Sequence, residues 1–324
     1  MSSKLILIAL GLVLAFVLPF AHGNSNTIEV QLDDGSTMKL IRVGCYSDED
    51  RPNRALRDLY HNHRNYIDWS QWPDMTHVIS ACASWAKRKN VNEKFGIQFY
   101  GECWADVEPS RFDVHGKADN CINGVGEHWS NFVYSMKNCS VEMNLVFLVD
   151  SSGSVNDTDF GKFQMFIKDL AEEFKDAISE GDTEVAAVLF STIPKTKIEF
   201  DLDDYDHIND IKAAVDAFSH QHGGQTRTGE ALTFTLEEVF KKAPRPSVKN
   251  VLVVLTDGKA QGNVTGPAQD VRDHGVEVFA IGVGPHSNEA ELKDIASDPD
   301  DKHVFHVTDY KLEDITGPIL DGIC

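Results

Sequence analysis

Residues 145–154, LVFLVDSSGS, limit what this chain can fold into more than any other stretch. Five apolar residues rich in Val and Leu stop abruptly at an acid and three serines. That is the pattern of a buried parallel strand reaching the edge of its sheet. In an open α/β sheet, ligands bind just beyond the carboxyl ends of the strands, so Asp150, Ser152 and Ser154 fall where a site is expected. One carboxylate and two hydroxyls are hard oxygen donors, suited to Mg²⁺ or Ca²⁺ and not to zinc. Taken alone, D-x-S-x-S also describes a turn or a helix-capping loop.

The chain after residue 142 alternates regularly between the two periodicities. A helix over 159–178 carries Phe160, Phe163, Ile167, Leu170, Phe174 and Ile178 on one stripe. It is amphipathic and covers a sheet face. Strands over 184–191 and 197–202 lie too close together for a helix between them, so they form a hairpin with an antiparallel edge strand. Helices over 207–218, 229–242, 266–274 and 288–296 follow, with strands over 251–255, 276–281 and 304–307 and a last helix from Lys311. This order specifies a doubly wound, mostly parallel α/β sheet covered on both faces, beside a smaller N-terminal disulfide-rich α+β module.

Two further segments supply ligands at matching places. GGQTRTGEAL (223–232) puts Thr226 just ahead of a helix, and NVLVVLTDGKAQG (250–262) is a second apolar strand ending in Asp257. In order, spacing and flanking residues, these three segments resemble the von Willebrand factor type A (vWA) domain and its metal-ion-dependent adhesion site (MIDAS), over residues 140–324. The resemblance implies that Asp150, Ser152, Ser154, Thr226 and Asp257 hold Mg²⁺, or Mn²⁺ or Ca²⁺ in its place. With two carboxylates on the cation, an open position would accept an acidic side chain from a partner, such as a collagen or another matrix protein. With its loop at the surface, loss of Asp150 is expected to abolish metal binding and leave the fold largely intact. In some relatives affinity changes when the last helix slides. Here Pro318 removes a backbone donor and is expected to break or kink that helix.

The chain opens on MSSK, an apolar run over 5–20, and small residues at Ala21 and Gly23, the pattern of a signal peptide over 1–23. A membrane anchor is the competing reading of that run, and no later run is long enough to span a bilayer. Six cysteines in an exported chain point to disulfides, and the absence of C-x-x-C argues against structural zinc. In a doubly wound domain, Cys139 before the first strand and Cys324 after the last helix both lie at the bottom of the sheet and are expected to pair. Cys45, Cys82, Cys103 and Cys121 are left to form two bridges among themselves. A formal net charge of −21, from 51 acidic and 30 basic residues, makes nucleic acid or an anionic membrane an unsuitable partner.

Residues 24–139 hold all five tryptophans, Trp69, Trp72, Trp85, Trp104 and Trp129. A helix over 75–89 shows apolar positions at Val78, Ile79, Cys82, Trp85 and Ala86, so Cys82 faces inward toward Cys103 on a strand over 95–104. With GCY at 44–46, a Met-Thr ahead of the helix, and FGIQFYGECW, this region resembles the WSC-type cysteine-rich module, which implies carbohydrate binding. Ala105 departs from that pattern where the family tends to place another cysteine. The tryptophans are open to two readings, a sugar-stacking platform or a core. His61 and His63 would form a metal pair if they lay on a strand; without other ligands nearby, they read as exposed loop residues.

Sequons stand at Asn138, Asn156 and Asn263, the last two beside the metal-bearing loops. The function expected is a secreted, extracellular-matrix adhesion protein. The alternative is an acidic structural matrix protein, of calcified tissue for example, binding calcium and carbohydrate. An enzyme is the weakest reading, because no G-x-S-x-G turn surrounds Ser152 or Ser154 and His303 and His306 flank a buried strand.

Overall fold

The computed structural model describes residues 26–91, 93–105, 111–137, 142–242, 245, 248–308 and 311–324. The expected signal segment, Asn138 and Cys139, with its expected bond to Cys324, lie outside the described residues. The chain first forms β1 (Thr27–Gln31), β2 (Thr37–Ser47), β3 (Asp58–Asn62), α1 (Thr76–Lys89), β4 (Lys94–Gln98), β5 (Glu102–Ala105), β6 (Cys121–Ile122), β7 (Val125–Gly126) and β8 (Ser130–Ser135). It continues with β9 (Met143–Asp150), α2 (Asp157–Glu172), α3 (Lys175–Glu180), β10 (Thr183–Phe190), β11 (Lys197–Phe200), α4 (Ile208–Asp216) and α5 (Thr228–Thr235). It closes with β12 (Lys249–Thr256), α6 (Thr265–Asp273), β13 (Val276–Val283), α7 (Glu289–Ile295), α8 (Asp300–His303), β14 (Val304–Val307) and α9 (Glu313–Ile323).

The later strands make one six-stranded sheet in the order β11-β10-β9-β12-β13-β14, parallel throughout except for the antiparallel edge strand β11. The hairpin and the doubly wound sheet are as the sequence predicts. Alternation along β9 shows why its apolar run is continuous. Leu145, Phe147 and Val149 pack under α2 and α9 against Phe163, Ile167, Ile319 and Leu320. Val146 and Leu148 face α5, α6 and α7 through Leu232, Ala268 and Leu292. Each such side chain contributes about 1.5–3 kcal/mol by leaving water.

Six of the earlier strands form a separate antiparallel sheet in the order β1-β2-β8-β4-β5-β3, with α1 packed on one face, and β6 and β7 pair as a small two-stranded sheet. Cys82 is bonded to Cys103, and Cys45 to Cys121. The tryptophans divide between the two readings: Trp104 is 5% exposed, whereas Trp69 and Trp72 are 54% and 42% exposed and cluster with Tyr100. His61 lies on β3 and stacks on Trp85 with ring centroids 4.6 Å apart, so it is not a loop residue.

Three expectations about elements need correction. The strand over 95–104 is a hairpin, because Phe99 and Tyr100 take left-handed φ values of 46° and 63° and turn the chain between β4 and β5. The helix over 159–178 is two, since the chain leaves α2 at Glu173 and re-enters a helix at Lys175. Pro318 does not break α9, which runs from Glu313 to Ile323. The carbonyl of Asp314, four residues earlier, would lose its donor to the proline; it accepts a hydrogen bond from Lys117 Nζ at 2.8 Å instead.

That bond belongs to a junction between the two sheets. Ile41 of β2 is enclosed in the apolar cluster of Leu145, Phe147 and Leu320. Asp321 of α9 pairs with Lys94 at 3.1 Å and lies 3.9 Å from Lys137. Glu173 accepts hydrogen bonds from the Asn26 amide and the Thr27 hydroxyl, both at 2.7 Å.

Candidate metal centre

Asp150 is the last residue of β9, and the chain turns there because the Ser152 amide bonds back to Asp150 Oδ1 at 2.8 Å. The turn is pinned sideways as well. The Ser151 amide donates to the Phe190 carbonyl at 2.8 Å, and the Gly153 amide to the Gly223 carbonyl at 2.6 Å. The second contact brings the loop ahead of α5, and with it Thr226, alongside the first. Asp257 follows directly on β12, the parallel neighbour of β9, so its side chain emerges at the same sheet edge.

The hydroxyls of these loops form a chain. Thr226 Oγ1 donates to Ser152 Oγ at 3.2 Å, Ser152 and Ser154 share a bond of 2.9 Å, and Ser154 Oγ donates to Asp257 Oδ1 at 2.8 Å. All five sequence-predicted ligands therefore meet at one place. Oxygens around an octahedral Mg²⁺ at 2.0–2.1 Å lie about 2.9 Å from their neighbours, which is the spacing this chain holds. The donor set is all hard oxygen and fits such an ion.

Asp150 is not on the surface. It is wholly buried, and Thr256 Oγ1 donates to its second oxygen at 2.8 Å. Burial pushes its carboxyl up to about 6, with the nearby Asp257 charge acting in the same direction against the hydrogen bonds from Ser152 and Thr256. In its charged form such a buried carboxylate is stabilised by a cation beside it. Thr256 was not legible as a site residue, although its place next to Asp257 at a strand end was the available signal.

Asn156 caps α2 by accepting from the Asp159 amide at 3.0 Å, and it and Asn263 are both exposed. His303 is buried, with Nε2 3.0 Å from Glu277 and Nδ1 3.0 Å from the Pro299 carbonyl, a structural position far from the loops of Asp150 and Thr226 in the sequence. No helix among the described residues is long and apolar enough to cross a membrane.

Comparison with known proteins agrees with this architecture. The von Willebrand factor type A domain family matches residues 144–318. Human cochlin is 35% identical over 189 residues, which are 58% of this chain and 33% of cochlin. Chicken matrilin-1 is 36% identical over 171 residues, 52% of this chain and 34% of that protein. The human collagen alpha-1(XXI) chain is 38% identical over 167 residues, 52% of this chain and 17% of that one. The chain thus matches about a third or less of the length of these relatives. Among solved structures, proximal thread matrix protein 1 from the mussel byssus with a zinc-occupied MIDAS motif is similar, with a TM-score of 0.54 and 25% identity, covering 58% of this chain and 49% of that one. With its parallel sheet, its convergent strand-end loops and a family match over more than half its length, the chain belongs to the von Willebrand factor type A domain family.

Proposed function

We propose that this is a secreted extracellular-matrix adhesion protein that binds a protein ligand through a divalent cation held by Asp150, Ser152, Ser154, Thr226 and Asp257. The observation that carries the reading is the unbroken hydroxyl chain from Thr226 through Ser152 and Ser154 to Asp257, with Asp150 buried beside it. A bound Mg²⁺, or Mn²⁺ or Ca²⁺, would supply an incompletely neutralised charge for an acidic side chain of a collagen or other matrix partner. The chain's own residues set the geometry: Thr256 and the Ser152 amide fix the Asp150 carboxylate, and Ser154 fixes that of Asp257. The names of the relatives, a matrilin, a collagen chain and a thread matrix protein, support a matrix setting.

In this reading residues 1–23 are a removed signal peptide, 24–139 a WSC-like module and 140–324 the vWA domain. N-glycans would stand on Asn138, Asn156 and Asn263, and Cys139 would clasp Cys324. With α9 held by Lys94 of β4 and Lys117 of the segment between β5 and β6, we expect one fixed affinity state.

A second reading, an acidic matrix protein binding calcium and carbohydrate, draws on the exposed Trp69 and Trp72, whose ring centroids are 6.2 Å apart. Calorimetry with Mg²⁺, Mn²⁺ and Ca²⁺ on the chain, Asp150→Ala and Asp257→Ala separates the two. One site lost in both variants, with circular dichroism unchanged, supports adhesion. Many weak calcium sites indifferent to both variants support the second reading.

A further inference from the structure

Among the described residues, one group of three imidazole or carboxylate side chains brings its ligand atoms within 4.8 Å of one another: Asp157, His220 and His222. We propose that these three form a second metal site, of the nitrogen-rich kind that takes Zn²⁺, Cu²⁺ or Ni²⁺, on the rim of the oxygen-lined site and independent of it.

His220 is held on three sides. Its ring stacks on Phe160 with centroids 4.7 Å apart and 16° between planes. Its Nε2 lies 3.1 Å from the Ser152 carbonyl, which can only accept, so Nε2 carries a hydrogen. Nδ1 then faces Asp157 Oδ1 at 3.0 Å, and His222 Nε2 reaches the same oxygen at 3.3 Å. A lone pair and a carboxylate oxygen at that distance need a cation between them, a proton or a metal. The second imidazole reaches the same oxygen, so three potential ligands converge on one point, as a metal ion requires.

The distances to Asp157, 3.0 and 3.3 Å, agree with this, because ligands at 2.0–2.1 Å around a four-coordinate zinc lie about 3.3 Å apart. A backbone carbonyl fixing the other ring nitrogen is the usual support of a metal-binding histidine. His222 pays for its position with a left-handed φ of 45°, which lays its ring against that of His220 with centroids 3.9 Å apart. Asp157 and the His222 ring are exposed, so a fourth ligand can come from water or a partner. Nitrogen donors here favour the softer ion, while the oxygen donors at Asp150 are open to the Mg²⁺ supplied in excess. Both sites lie against Ser152, this one through its carbonyl and the other through its hydroxyl, yet they share no ligand atom.

The test is a Zn²⁺ titration of the full chain by calorimetry in excess Mg²⁺, repeated with His222→Ala, Asp157→Asn and Asp257→Asn. The expected result is one zinc site that weakens tenfold or more in the first two variants and persists in Asp257→Asn. A Co²⁺ absorption spectrum with nitrogen-ligand bands, lost in His222→Ala, is the second readout. Because His222 is exposed, its loss leaves the fold intact. Zinc uptake unchanged by His222→Ala and Asp157→Asn, or abolished only by Asp257→Asn, overturns the proposal.

Discussion

A Cβ placed on Gly317 would stand 1.9 Å from the carbonyl oxygen of Arg42, so helix α9 and strand β2 touch backbone to backbone. Glycine is ordinarily a poor helix residue, costing about 1 kcal/mol relative to alanine. Here the close approach reverses that preference. Gly317→Ala is expected to destabilise the chain by about 1–3 kcal/mol through forced separation of the two sheets. Gly161 in α2 has open space around it, and Gly161→Ala is expected to stabilise by about 0.5–1 kcal/mol. Urea midpoints of the two variants, moving in opposite directions, check both.

Asp150 gives a prediction with an unusual sign. Its carboxyl is raised to about 6 by burial, so the cation-free fold loses stability as pH rises from the ordinary carboxylate range through 6, and stays lowered above it. Asp150→Asn removes that charge. Its oxygen can still accept from the Ser152 amide, and Thr256 Oγ1, already 3.3 Å from the Gly258 carbonyl, can turn to donate there. At pH 7 without divalent ions the variant is expected to be more stable by on the order of 1–3 kcal/mol. Thermal melts in chelator should show it, and added Mg²⁺ should rescue only the unmutated chain.

The pair of His303 and Glu277 sets a pH window. Burial works against the charged form of His303, but hydrogen bonds to Glu277 and the Pro299 carbonyl, and the Glu277 charge, raise its pKa. Its contribution is whole below about 6.5 and is lost as pH rises through the raised folded value. Burial likewise opposes ionisation of Glu277, yet His303 and Lys249 hold it low, so its contribution is lost as pH falls through the lowered value. The pair therefore contributes most between roughly 4.5 and 6.5. His303→Gln is expected to lose about 1.5–3 kcal/mol in that window and less at pH 8, as denaturant titrations at both values would reveal.

In the N-terminal sheet, Asp48 is buried and takes hydrogen bonds from Arg54 at 2.8 Å, Asn131 at 3.1 Å and the Ala55 amide at 2.9 Å. Arg54 also lies 3.7 Å over the Trp104 ring. Asp48→Ala leaves that guanidinium buried beside an apolar ring without its anion, and about 3–5 kcal/mol of stability is expected to go. An unchanged denaturation midpoint would contradict this account.

Much of the candidate site was legible because each of its five oxygen-bearing residues sits beside a strand end or helix start that local periodicity reveals. Val146, Phe147 and Leu148 announce β9, and Asp150 ends it. Where long-range partners decide, local patterning fails. Pro318 reads as a helix breaker until Lys117, from the segment between β5 and β6, supplies the donor its ring cannot. Asp157 and His222 lie far apart in the chain, and only the pairing of the Ser152 and Gly223 loops brings them together. The hairpin of β4 and β5 was missed because Phe99 and Tyr100, aromatic residues and not glycine, make its turn.

Ile41 belongs by sequence to one sheet and by packing to the core of the other. Pulling the two sheets apart would return its side chain to water at a cost of about 1.5–3 kcal/mol, before any loss from Asp321 and Glu173. Cooperativity follows from that placement. A chain with two sheets and separate cores is expected to melt in a single calorimetric transition, and Ile41→Ala to divide it into two.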